Sequence, residues 1–193
     1  MILHANIDDL ALIIRDFLPE DLYKKVLKYN FNTKDLKSSY GDWHEDLYED
    51  NKKNKTMNYV KTLARLAHYE KGKFEEKNII FKNVIETIIK CEWLPFQKKS
   101  AITLNYYEYD KYSGINWHED KNHTLNYSLY IHDQWDRNWG GETLIDTGRG
   151  LPLAVYPVPN SLVVIKNDVP HKVCPVTGPK KRKVLQTRGW FYN

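Results

Sequence analysis

Ile102-Thr103-Leu104-Asn105-Tyr106-Tyr107-Glu108-Tyr109 and Thr124-Leu125-Asn126-Tyr127-Ser128-Leu129-Tyr130-Ile131 bracket the stretch Ser113-Gly114-Ile115-Asn116-Trp117-His118-Glu119-Asp120. Both outer runs are β-branched and aromatic, a composition that suits a pleated, half-buried surface. Residues 153–156, 161–165 and 184–191 have the same character. Turn residues separate the runs: Gly114, Gly140-Gly141, Gly148, Gly150, Pro157, Pro159-Asn160 and Gly178-Pro179. Many short strands punctuated in this way predict a sandwich or jelly roll from about residue 96 to residue 193.

Residues 1–95 read differently and predict a mainly helical N-terminal part of the same single domain. A short strand at 11–14 leads into a turn, and Pro19 opens a helix whose first turn carries Glu20 and Asp21, where acidic groups favour the helix dipole. Leu22, Val26 and Leu27 give that helix an apolar stripe up to about Tyr29. A second helix is expected over 57–70, with Leu63, Leu66 and Ala67 on one face. A third is expected over 74–91, from the spacing of Ile79, Ile80, Val84, Ile88 and Cys91. Residues 31–58 are polar and charged and read as a loop, a candidate lid.

The chain has 193 residues, 41% hydrophobic and 13% aromatic, enough for one domain with a sizeable core and unlike a disordered segment. Its formal charge of +4 does not by itself point to nucleic acid, and the lysine clusters at 52–53, 98–99 and 180–183 read as solvated faces. Two cysteines, Cys91 and Cys174, suggest no disulfide framework, and Cys174 reads as a small packed side chain rather than a ligand. Asn6, Asp8 and Asp9 interrupt the first ten residues, and no apolar stretch is long enough to cross a bilayer. A cytoplasmic protein without membrane partners is the expectation.

Trp-His-Glu-Asp occurs twice, at 43–46 and at 117–120. His-x-Asp on an extended backbone turns an imidazole and a carboxylate to the same side. The second copy follows a strand, and His171 comes after another apolar strand downstream. Two histidines and one carboxylate leave positions open on an iron, the donor set that oxygen-activating non-haem iron uses. The first copy, His44 and Asp46, lies among Asp, Glu, Lys and Asn without apolar alternation and reads as part of the loop.

The pieces Asn105-Tyr106-Tyr107-Glu108-Tyr109, 114–120, Ser128-Leu129-Tyr130-Ile131, Gly140-Gly141-Glu142-Thr143, 159–164, 171–176 and Arg188-Gly189-Trp190-Phe191 resemble, in order and spacing, the Fe(II)/2-oxoglutarate-dependent dioxygenases of the prolyl 4-hydroxylase-like branch. Ile14-Arg15-Asp16-Phe17-Leu18-Pro19-Glu20 resembles that family's opening strand and helix. The resemblance implies a mainly β fold with flanking α-helices: a double-stranded β-helix, the cupin-like jelly roll, with N-terminal helices on its outer sheet. It implies His118, Asp120 and His171 as metal ligands and catalytic centre, with Fe(II), the cosubstrate 2-oxoglutarate and O2, and ascorbate as reductant.

It also implies a basic residue that clamps the C5 carboxylate of 2-oxoglutarate, after the second histidine. Arg182, Lys181 and Arg188 are the candidates, with Arg182 first because a guanidinium can bind a carboxylate bidentately. Strand alternation from Arg182 places Val184, Gln186, Arg188 and Trp190 on its face. Arg182 to Trp190 is longer than the family's spacing, and Lys181 matches a commoner spacing from the histidine. Tyr109 matches a family tyrosine that reaches the cosubstrate; Tyr107 shares its face, Tyr106 points away, and Tyr130 is a further candidate. Trp135 and Trp139 either wall a substrate entrance or fold back on the sheet. The implied reaction is hydroxylation of an unactivated C–H bond with conversion of 2-oxoglutarate to succinate, on a peptide or protein side chain or on a small molecule. Two other readings stand beside it. Arg182 and Arg188 reproduce the Arg-x5-Arg of oxidative nucleic-acid demethylases, and a non-catalytic metal-binding jelly roll would need no chemistry.

Overall fold

The computed structural model describes residues 1–7, 10–32, 37–38, 60–76, 78–94, 100–120 and 124–190. The 43–46 copy of Trp-His-Glu-Asp, most of the candidate lid 31–58, the lysine pairs at 52–53 and 98–99, and Phe191 lie outside the described residues. In chain order the elements are β1 (Ile2–Ile7), β2 (Ala11–Arg15), α1 (Glu20–Lys28), β3 (Lys37–Ser38), β4 (Val60–Glu70), β5 (Lys73–Glu76), α2 (Ile79–Lys90), β6 (Ala101–Tyr109) and β7 (Ile115–His118). There follow β8 (Leu125–Tyr130), β9 (Thr143–Ile145), β10 (Leu153–Val155), β11 (Leu162–Lys166), β12 (His171–Val173) and β13 (Arg182–Trp190). Among the described residues the large sheet runs β1-β2-β11-β8-β13-β6-β4-β3, with β5 on β4, and the small sheet runs β10-β9-β12-β7. Every pairing in both sheets is antiparallel. The result is the expected jelly roll.

Alternation along the central strands sorts side chains into two cores. Ile102, Leu104 and Tyr106 of β6, Tyr127 and Leu129 of β8, Leu162 and Val164 of β11 and Leu185 of β13 meet the helices. Helix α2 turns Phe81, Val84, Ile85 and Ile88 to this side, spaced by three and four residues, and the Asn78 side chain caps it by accepting from the Ile80 N–H. Helix α1 runs as the sequence predicts, with Glu20 and Asp21 in its first turn and Lys25 and Lys28 in its last. The alternate residues Tyr107, Tyr109, Tyr130, Val163, Ile165 and Val184 face the small sheet, where Ile115, Ile145, Val155 and Val173 cover them. That second interior holds the polar groups described below.

The expected helix over 57–70 is not formed. Residues 60–70 are the strand β4, paired with β6 along its length. The helical spacing of Leu63 and Ala67 has a specific origin. Leu63 pairs with Tyr106 and Ala67 with Leu104, so four steps on β4 match two on β6. The extra residues form a bulge in which Arg65 takes a φ of 54° and its N–H donates to Asn105 Oδ1 at 2.8 Å. The bulge returns both side chains to the helix-facing side and so imitates an i, i+4 stripe. The helix expected at 74–91 is likewise shorter, because residues 73–76 pair with β4 as β5 before α2 begins. The N-terminal part is therefore strand and helix mixed. Among the described residues no helix is long and apolar enough to cross a membrane.

Candidate active site

His118 ends β7 and His171 begins β12, and the two are direct partners across the antiparallel pair. Their ring centroids lie 4.3 Å apart. Asp120 follows just beyond the end of β7, with Oδ2 3.5 Å from His171 Nε2. One ligand atom from each of these three residues lies within 4.8 Å of the others, the only such cluster among the described residues. His118 Nδ1 donates to the Asn116 carbonyl at 2.8 Å and His171 Nδ1 to the Val169 carbonyl at 2.9 Å. A carbonyl only accepts, so each bond takes the Nδ1–H and leaves Nε2 as the nitrogen that would meet a metal. Asn126, on β8, donates to Asp120 Oδ2. Burial would raise the Asp120 carboxyl, but the hydrogen bond and charge of His171, with the charges of His118 and Arg188, outweigh it and hold the group at about 2.

Arg182, 1% exposed, opens β13 on the face where alternation places it. Its guanidinium carbon lies 4.6 Å from the Tyr109 ring centroid and 4.9 Å from that of Tyr130. Nη2 donates to the Tyr130 hydroxyl at 3.3 Å and the Thr143 hydroxyl at 3.1 Å, while Nε is buried without a hydrogen-bond partner. Gly141, with a φ of 73°, backs onto it so closely that a Cβ would meet Arg182 Cδ at 3.2 Å. Among the described residues no carboxylate pairs with this buried cation. A desolvated charge with only neutral neighbours and an orphan donor calls for an anion. Burial pushes the Tyr109 phenol upward against the lowering pull of Arg182, so it stays a neutral O–H.

Residues 102–192 match the model of the 2OG-Fe(II) oxygenase superfamily. Over that stretch the jelly roll is similar to the 2OG-Fe(II) oxygenases. The chain is similar in fold to a prolyl 4-hydroxylase from Pseudomonas putida, with a TM-score of 0.63 at 17% identity over 97% of both chains. A Burkholderia pseudomallei oxidoreductase of the 2OG-Fe(II) oxygenase family gives 0.66 at 11% identity, covering 100% of this chain and 94% of the other. A Trichoplax adhaerens prolyl hydroxylase, solved with a hypoxia-inducible factor peptide, gives 0.62 at 12%, covering 93% and 83%. No curated protein sequence matches the chain. The fold is thus prolyl 4-hydroxylase-like, and the family implies Fe(II), 2-oxoglutarate and O2. The chain's own residues fit these groups: two imidazoles whose Nδ1 is engaged by a carbonyl and one ionised carboxylate for the metal, and a buried guanidinium with no carboxylate partner among the described residues for a dicarboxylate.

The remaining candidates separate cleanly. Lys181 points away from the cavity and pairs with Glu108 at 2.5 Å and Asp110 at 3.0 Å, so it does not join the group around Arg182. Arg188 shares the inner face with Arg182 but lies opposite Thr103 and Asn126, near Asp120. Tyr106 faces the helices and stacks on Phe31, as alternation requires. Trp135 and Trp139 fold back: Trp135 Nε1 donates to the Gly140 carbonyl at 3.1 Å, its ring packs on His132, and Trp139 fills the space over Gly178. Cys174 is half-buried and outside the metal cluster.

Sequence reading gave no role to Thr143 or Asn126. Thr143 sits within the quoted Gly-Gly-Glu-Thr and reaches Arg182 from the small sheet. Asn126 shares the inward register of Ser128 and Tyr130, so a polar residue at a core-facing position was its available signal.

Proposed function

We propose that this chain hydroxylates an unactivated C–H bond of its substrate while 2-oxoglutarate is decarboxylated to succinate, with His118, Asp120 and His171 holding iron and Arg182 holding the far carboxylate of 2-oxoglutarate. Arg182 carries this reading. A binding module with a structural metal has no use for a fully buried guanidinium that lacks a counter-ion. When bound, iron(II) supplies the oxygen activation that couples loss of carbon dioxide to C–H oxidation.

The chain's residues supply position and exclusion of water. The Asn116 and Val169 carbonyls orient the two imidazoles, and the Asn126 amide fixes one carboxylate oxygen of Asp120. Tyr109 and Tyr130 flank the guanidinium, so its attraction for a carboxylate acts at low dielectric. The Tyr109 hydroxyl can donate to the same carboxylate, as can one of the Tyr130 and Thr143 hydroxyls, which bond each other at 3.1 Å. Peptidyl or small-molecule substrates both suit the reading, and ascorbate serves as reductant.

The test is incubation of the full chain with Fe(II), ascorbate, 2-oxoglutarate and a panel of peptides and metabolites. Succinate formation with a gain of one oxygen on a substrate is expected. Absence of succinate formation from 2-oxoglutarate, coupled or uncoupled, would overturn the reading.

A further inference from the structure

Between the clamp and the metal cluster, the floor of the cavity carries two carboxamides. Arg182, Val184, Gln186 and Arg188 follow one another along the inner face of β13. On β8, Tyr130 lies opposite Val184, Ser128 opposite Gln186 and Asn126 opposite Arg188. The Arg182 guanidinium leans over the Tyr130 ring and bonds its hydroxyl, while Asn126 holds Asp120. A molecule that joins Arg182 to the metal cluster therefore passes over the row between. That row is Gln186, with Ser128 on one side and Asn105 of β6 on the other.

This row has donors to spare. Asn105 and Gln186 are 6% and 7% exposed. Asn105 Oδ1 accepts from the Arg65 backbone N–H at 2.8 Å, and Gln186 Oε1 accepts from the Ser128 hydroxyl at 2.8 Å. Each amide oxygen is thereby engaged, and each amide nitrogen keeps its two hydrogens. Neither nitrogen hydrogen-bonds to a described residue, and neither is fully sealed in protein. Donors left unspent in a nearly dry interior call for an acceptor. We propose that the Asn105 and Gln186 amides donate to the C1 carboxylate of 2-oxoglutarate and fix the end that chelates the metal, as Arg182 fixes the far end. The proposal rests on the iron and clamp assignment above. Held at both ends, the cosubstrate must cross this row, whereas the primary substrate need not. The amides are neutral, so they orient the carboxylate without adding a charge beside the metal.

The full chain loaded with Mn(II) is titrated calorimetrically, directly or by displacement, with three acids. They are 2-oxoglutarate, 2-oxopentanoate, which keeps the oxoacid end and lacks the far carboxylate, and 4-oxopentanoate, which keeps the far carboxylate and has a methyl in place of C1. Gln186→Met should weaken 2-oxoglutarate and 2-oxopentanoate by the same factor, about tenfold, and leave 4-oxopentanoate and Mn(II) within about twofold. Asn105→Asp, which keeps an acceptor for the Arg65 N–H, should weaken the same two acids at least as much. Arg182→Gln should give the mirror pattern, a loss for 2-oxoglutarate and 4-oxopentanoate that spares 2-oxopentanoate. A Gln186→Met chain that binds 2-oxoglutarate within about twofold of wild type overturns the proposal, because the amides would then serve another molecule or the fold alone. So does a loss that 4-oxopentanoate or Mn(II) shares, which would mark a collapsed cavity. Failure of the wild-type chain to bind 2-oxoglutarate with Mn(II) overturns the underlying reading instead, and the proposal with it.

Discussion

Arg182 and Lys181 are neighbours in sequence whose side chains leave the strand in opposite directions. Arg182→Gln removes the buried cation while keeping a polar side chain of similar reach. A charge-assisted bond of about 2–3 kcal/mol is lost, so 2-oxoglutarate affinity in the presence of Mn(II) should fall roughly 30-fold or more while Mn(II) affinity holds, measured by calorimetry. Lys181→Ala should leave 2-oxoglutarate affinity within about twofold. Its cost belongs to stability: the Glu108 side chain, 5% exposed, keeps only the Tyr106 hydroxyl at 2.8 Å, and urea unfolding should show a loss of about 1–2 kcal/mol. Sequence spacing alone could not choose between adjacent basic residues. Pairing with Tyr109 across the sheet is what buries Arg182 beside the tyrosines and leaves Lys181 outside, and that pairing is a long-range fact.

At the scale of elements, the legible features were those with a local period. The runs that became β6, β8, β10, β11 and β13 announced themselves by composition, and the inward set Arg182, Val184, Gln186, Arg188 and Trp190 followed from strict alternation. The cluster of His118, Asp120 and His171 was legible as well, although Asp120 reaches it from beyond the end of β7 and not along an extended strand. What failed was β4, where the bulge at Arg65 broke the period of two and produced a helical spacing. The short strands β9 and β12 have three residues each, too few to show any period. The turn at Gly140 makes a prediction of its own. Its φ is 70°, and a Cβ there would lie 2.3 Å from the Pro175 carbonyl oxygen, with Gly140 bridged to Val176. Gly140→Ala should cost about 2 kcal/mol or more through strain and displacement, lowering Tm by roughly 4–8 °C in a thermal melt.

Over the whole molecule, stability should respond to acid through a group outside the metal cluster. His132 is 4% exposed and ties three segments together: Nε2 donates to the Pro157 carbonyl at 2.9 Å, Nδ1 accepts from the Lys183 N–H at 3.3 Å, and the ring packs on Trp135. Burial, opposed by the Pro157 bond and helped by the charge of Arg182, lowers it to about 4. An unfolded histidine titrates near 6.5, so between these values the unfolded chain binds the extra proton, and stability falls as pH drops. The loss should approach about 3 kcal/mol by pH 4, measured by urea unfolding in EDTA, with a flatter profile in His132→Gln. Asp120 is shifted in the same sense, downward, and acts in a lower window. Its contribution is complete above the ordinary carboxylate value and is lost as pH falls toward about 2, below the histidine window.

The central claim is that one centre, made by His118, Asp120 and His171, recruits 2-oxoglutarate through a metal. Calorimetric titration of 2-oxoglutarate into the full chain, with and without Mn(II), tests it most directly. The account predicts saturable binding only when Mn(II) is present, abolished in His118→Ala and unchanged in His44→Ala. Binding of 2-oxoglutarate that is indifferent to Mn(II), or that survives His118→Ala, would contradict it.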